Sequence, residues 1–126
     1  DLSVKICETF VRLISPYFST ERRMLEPGNA QVKVGVEYAR SGLWPEAIEA
    51  WKTCIEANPK DPAAYYNLGI AFEAQGDLDR AETLFKTALE KKMKKHYMDA
   101  IARIREAKAD RERLKKQLED REENTR

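Results

Sequence analysis

The side chains that could carry covalent or acid-base chemistry are few and stand apart in the sequence. The chain has a single histidine, His96, and two cysteines, Cys7 and Cys54. A nucleophilic site needs a Ser or Cys beside a base and an orienting carboxylate, and His96 has no such partner at a motif spacing. Glycine-rich phosphate loops, HExxH and CxxC are also absent from the sequence. We therefore predict no enzymatic activity, no metal site and no cofactor.

A lysine cluster at residues 91–95 raises the question of nucleic-acid binding. Residues 91–126 hold 13 basic and 8 acidic side chains, whereas residues 28–90 hold 6 and 10. Against a phosphate-binding role, the net charge is only +1, acidic side chains are interspersed after residue 98, and cations near a helix end complement its dipole. We expect no nucleic-acid partner, and the salt dependence of retention on a polyanion column would test this.

The sequence repeats itself with a period of 34 residues. The matched pairs are Val34/Leu68, Gly35/Gly69, Tyr38/Phe72, Gly42/Gly76, Ala47/Ala81, Trp51/Phe85 and Cys54/Ala88. A fixed period of this length is typical of helical solenoids, in which each unit buries its apolar face against its neighbours. Because Cys54 occupies the small position held by Ala88, we expect a buried, unreactive thiol.

The repeated positions resemble the tetratricopeptide repeat family. The resemblance covers residues 28–95 and implies an all-α solenoid of two helix-turn-helix units, residues 28–61 and 62–95, with a protein-binding concave groove. Residues 1–27 would precede them as an N-terminal helix and an extended segment, and residues 96–126 would follow as a long capping helix.

Local chemistry supports these boundaries. Gly42 and Gly76 suit left-handed helix ends, and Asp61 followed by Pro62 predicts an N-cap and a first helical residue. Gly69 predicts a close approach of two helices, and we expect Ala81 to be the small residue that faces it.

Both flanks are predicted to be helical but not repeats. Val4, Cys7, Phe10, Val11 and Ile14 recur every three to four residues, and Pro16 ends this amphipathic pattern. We predict that residues 1–27 cover apolar surface on the first unit or on a neighbouring copy, which could produce a homodimer. Residues 13–25 resemble a segment of bacterial envelope lipoproteins, which would imply the cell envelope or periplasm; without that resemblance, the cytoplasm is the expectation. The sequence starts at Asp1, which suggests a piece of a longer protein.

The C-terminal helix is predicted from residue 96 to about 122. Its apolar stripe of Tyr97, Ile101 and Ile104 indicates a docked first half, while Leu114 and Leu118 lie in a highly charged setting. A cap for the repeats is favoured over a coiled-coil dimer arm, because charged residues interrupt the seam. No apolar run in the sequence approaches the length of a membrane span.

The resemblance to the family implies that the first helix of each unit lines the binding groove. The proposed groove residues are Val32, Lys33, Val36 and Arg40 in the first unit and Tyr66, Asn67, Ile70 and Glu73 in the second. Chaperone-binding members of the family grip a C-terminal carboxylate with Lys and Asn at places that here hold Val32 and Val36, and only Asn67 matches. We therefore expect a protein or peptide partner that presents an amphipathic helix or an extended apolar segment. The alternative is an oligomerisation or spacer module of a larger bacterial envelope protein, with the groove occupied by its own chain.

Overall fold

The computed structural model describes residues 25–125, which form five helices and no strand. The helices are α1 (Ala30–Arg40), α2 (Trp44–Ala57), α3 (Pro62–Ala74), α4 (Leu78–Lys91) and α5 (Lys95–Asn124). The predicted all-α fold is confirmed. The predicted N-terminal helix and nearly all of the lipoprotein-like segment lie outside the described residues.

The helices pack as two hairpins followed by one long helix. The most extensive contacts join α1 to α2 and α3 to α4, while α2 packs on α3 and α4 on α5. Each hairpin therefore lies within one of the two predicted 34-residue units, and α5 takes the place that the first helix of a third unit would occupy.

The predicted turn chemistry is confirmed at the junctions. The Asp61 carboxylate accepts a hydrogen bond from the backbone N–H of Ala63 at 3.0 Å, and Pro62 is the first residue of α3. Gly42 and Gly76 have φ angles of +79° and +86°. Residues other than Gly rarely adopt this backbone conformation, so these glycines allow the sharp turn within each hairpin.

The close approach predicted at Gly69 is present, but its partner differs from the expectation. A Cβ atom added to Gly69 would lie 2.6 Å from Cε1 of Phe85, and at Gly35 it would lie 2.6 Å from Cε2 of Trp51. The aromatic ring one turn beyond the expected alanine thus fills the space above each glycine, since a flat ring can lie against bare backbone.

The predicted division of the last helix is confirmed. Tyr97, Ile101 and Ile104 are buried, whereas Leu114 and Leu118 are exposed. Salt bridges fix the docked half: Arg103 forms a bidentate pair with Glu73 of α3 at 2.7 and 2.8 Å, and Arg105 and Lys108 both bind Glu82 of α4. The docked half covers the end of the second unit, as a cap does.

Candidate functional site

The residues predicted to line the groove are mostly covered. Val32, Val36, Tyr66, Asn67 and Ile70 are buried, whereas Lys33 and Arg40 are exposed. Glu73 is partly buried in its pair with Arg103. Five of the eight side chains are therefore covered in this structure, and their role as a binding groove stays a prediction.

Residues just before α1 pair with the centre of this predicted groove. The backbone N–H of Glu26 donates to Oδ1 of Asn67 at 2.8 Å, and Nδ2 of Asn67 donates to the backbone carbonyl of Glu26 at 2.7 Å. Asn67 is fully buried, and the neighbouring Leu25 joins the apolar core. One side-chain amide thus satisfies both backbone hydrogen-bonding groups of a single residue.

The Glu26 side chain is bound by the start of α5. Its Oε1 atom lies 3.4 Å from Nζ of Lys94 and also contacts Nε2 of His96. The Glu26 side chain is only 14% exposed. We call Asn67, Lys94, His96 and Tyr97 the Glu26 corner, because these four residues surround Glu26.

Aromatic packing forms the floor of the Glu26 corner. The ring centroids of His96 and Tyr97 are 4.5 Å apart, and those of Tyr66 lie 5.0 Å from His96 and 5.1 Å from Tyr97. Burial raises the pKa of Tyr66 to about 12. Burial and, after it, the nearby Glu26 carboxylate also raise the pKa of Tyr97, whose hydroxyl makes no well-formed hydrogen bond among the described residues.

Sequence reasoning included Asn67 but missed Glu26, Lys94 and His96 as parts of one cluster. His96 has no carboxylate partner at a motif spacing, yet its side chain, which is 46% exposed, contacts Glu26 from 70 positions away. No local motif connects such distant residues. One signal was present in the sequence: Gln31 stands where the family pattern has an aromatic residue near the start of the first unit, which suggests that another segment packs at that edge.

A second surface lies at the free end of the first unit. Val34, Tyr38, Pro45 and Ala50 help to line an open cavity of about 570 Å³, with buried Cys54 among its lining residues. Val34 is 51% exposed, whereas Leu68, its equivalent in the second unit, is 4% exposed. This difference arises because α2 packs on α3 and no described helix packs in the same way on α1. Burial raises the pKa of the Cys54 thiol.

Comparison with known proteins agrees with this architecture. Residues 35–96, about half of the chain, match the family model described as tetratricopeptide repeat. This segment belongs to the tetratricopeptide repeat family. The chain is also 27% identical over 75 residues to photosystem I assembly protein Ycf3 of Prochlorococcus marinus subsp. pastoris (strain CCMP1986 / NIES-2087 / MED4). The match covers 54% of this chain and 43% of that relative's length.

Three observations bear on the kinds of function that this chain could have: its family, its metal-ligating side chains and the hydropathy of its helices. Tetratricopeptide repeats are in general non-catalytic scaffolds for protein-protein interaction. Within residues 25–125, no His, Cys, Asp and Glu side chains cluster in a way that could hold a metal ion. None of the five helices is both long and apolar enough to cross a membrane.

Proposed function

We propose that the chain is a protein-interaction module whose concave groove binds an extended segment of a polypeptide. The observation that carries this proposal is the pairing of Asn67 with both backbone groups of Glu26. A groove that satisfies the N–H and C=O of one residue can bind main chain regardless of side chain, and the surrounding pockets then supply selectivity.

The family supports a protein as the partner. The similar cyanobacterial protein is named as an assembly protein, which agrees with a role in which this module holds other polypeptides. Exposed Lys33 and Arg40 would lie at the rim of the groove and contact the partner from the first unit.

A second candidate is the spacer or oligomerisation role, in which the groove is permanently filled by the chain itself. The occupation of Asn67 by Glu26 favours this alternative, since no partner could use that amide while the contact persists. The two candidates differ in whether Leu25 and Glu26 can be displaced.

Binding of nucleic acid through the lysine cluster has less support. Lys94 is engaged by Glu26, and Lys95 lies 3.6 Å from Asp99. The ammonium group of Lys91 lies 5.8 Å from the Tyr65 ring centroid. Neighbouring carboxylates oppose the close approach of phosphates.

Site-specific photo-crosslinking tests the proposed groove. A photoreactive amino acid replaces Lys33 at the rim, and in a matched control it replaces Lys52, which is exposed on α2. Irradiation in an extract of the source cells should yield discrete crosslinked polypeptides with the Lys33 variant only. Equal crosslinking from both positions would reject the groove as the binding surface.

A further inference from the structure

We propose that the Glu26 corner is a recognition site for an apolar residue followed by a glutamate within an extended peptide, and that Leu25 and Glu26 occupy it as an internal ligand. This inference rests on the proposed function and adds the chemistry of the partner. Its evidence is the contact set of Glu26 with Asn67, Lys94 and His96.

The backbone contacts define which part of a peptide would fit. Asn67 accepts from the N–H and donates to the C=O of the same residue, and the chain continues beyond that residue through Pro27. The residue that Asn67 holds in this structure is thus internal to its segment.

The side-chain contacts define selectivity for a carboxylate. Lys94 and His96 both approach the same Glu26 oxygen, and the buried Tyr97 hydroxyl lies close to this carboxylate without a well-formed hydrogen bond. The other charged pair packed nearby is Arg103 with Glu73. A neutral amide in place of the carboxylate would lose the charge-assisted hydrogen bonds, which are roughly twice as strong as neutral ones.

The position before the glutamate favours an apolar side chain. Leu25 is 8% exposed and belongs to the same buried cluster as Tyr66 and Ile70, which were predicted to line the groove. A polar residue there would lose this burial. The recognised pair is therefore Leu-like then Glu.

The internal ligand sits on a short tether. Gly28 adopts a φ of +55°, and the Asn29 side chain then caps α1 by accepting from Val32, so Glu26 is three residues from a fixed helix start. Such a tether holds the segment at a high effective concentration beside its site. A partner peptide would bind only to the fraction of molecules in which the corner is vacated, which lowers its apparent affinity.

Fluorescence anisotropy with defined peptides tests this inference. The probe is a labelled synthetic peptide that copies residues 21–29, and a second peptide carries Gln in place of the residue corresponding to Glu26. The protein is the full chain with Glu26→Lys, which places a cation against Lys94 and His96 and should vacate the corner. Glu56→Lys on the exposed surface of α2 makes the same charge change elsewhere and is the matched control.

The Glu peptide should bind Glu26→Lys at least tenfold more tightly than Glu56→Lys or the wild type. The Gln peptide should bind Glu26→Lys about tenfold more weakly than the Glu peptide, since it lacks the charge-assisted bonds. Adding Lys94→Met to the Glu26→Lys protein should reduce its preference for the Glu peptide over the Gln peptide. If Glu26→Lys does not fold, Glu26→Gln should show a smaller gain in the same direction.

Two results would overturn the inference: equal binding of both peptides to the vacated variant, or no gain of Glu26→Lys over Glu56→Lys. If either result is found but crosslinking still occurs at Lys33 and not at Lys52, the proposed function holds. Only the selectivity for glutamate and the internal ligand are then rejected. Loss of the crosslinking preference for Lys33 would remove the proposed function itself.

Discussion

Asn67 illustrates how one buried amide can join two distant parts of the chain. It was singled out from the sequence because of its position in the second unit, but its partner, Glu26, lies 41 residues earlier. Since the Asn67 side chain is fully buried, its removal would leave the N–H and C=O of Glu26 without their partner.

Asn67→Ala should therefore lower the free energy of unfolding by about 1–3 kcal/mol, the usual cost of leaving buried polar groups unsatisfied. It should also speed hydrogen exchange at the Glu26 amide. Urea denaturation and exchange measured by NMR check both effects, with exposed Gln75→Ala as the control. An unchanged exchange rate at Glu26 would show that the Asn67 contact does not hold this segment.

Gly69 is a residue at which bare backbone is needed. Gly69→Ala should destabilise the fold by about 1–3 kcal/mol through overpacking, because the new Cβ would lie 2.6 Å from the Phe85 ring. In the Phe85→Leu background, Gly69→Ala should cost less stability than it does in the wild type, because the smaller Leu side chain leaves room for the new Cβ atom. Thermal melting of the four proteins measures this coupling; strictly additive effects would place the strain elsewhere.

At the scale of elements, α5 is held on α4 by a charge cluster centred on Glu82. Hydrogen bonds from Arg105 and Lys108, at 2.9 and 3.0 Å, lower the pKa of Glu82 to about 2. A carboxylate with a depressed pKa contributes stability above its unfolded pKa, and this contribution disappears as the pH falls through the folded value.

Glu82→Gln should consequently reduce stability by about 1 kcal/mol near neutral pH, as expected for a surface ion-pair network. The difference from wild type should stay constant above about pH 4.5 and shrink as the pH falls towards 2. Denaturation curves across this range provide the measurement, and exposed Glu90→Gln serves as control. A difference that does not change with pH would show that charge at Glu82 does not stabilise the docked helix.

At the scale of the whole molecule, the face of α1 at the start of the first unit is a candidate docking surface for residues 1–27, which are predicted to cover apolar surface. Val34 and Tyr38 are exposed there, while their equivalents Leu68 and Phe72 in the second unit are buried. An amphipathic helix with the stripe Val4, Cys7, Phe10, Val11 and Ile14 has the chemistry to take the corresponding place on α1. We predict that residues 4–14 dock on this face.

Disulfide trapping can test this docking. In a Cys54→Ala background, Thr53→Cys places a thiol beside the cavity and should form a disulfide with Cys7 on mild oxidation. Thr87→Cys, the equivalent position of the second unit, is the matched control. A crosslinked monomer indicates docking in cis, and a crosslinked dimer indicates docking on a neighbouring copy. Equal crosslinking at both positions would contradict the prediction.

The sequence predicts periodic features well and distant contacts poorly. The hairpins, the turn at Gly76 and the two halves of α5 follow from local patterns that repeat or alternate. The contact between Glu26 and the Glu26 corner does not, because the residues involved come from three segments that only the packed helices bring together. Burial of Tyr66 and Ile70 likewise depends on neighbouring segments, which the helical pattern of α3 alone does not specify.

The most direct test of the account is an NMR titration of the full-length Glu26→Lys variant with the Glu-containing peptide, observing the side-chain NH₂ signals of Asn67. These signals report the groove atom that pairs with main chain. We predict that they shift with saturation, together with the backbone amides of Lys94 and His96, towards the positions found in the wild type. Binding that leaves the Asn67 signals unchanged and shifts residues on the outer faces of α2 and α4 instead would contradict it.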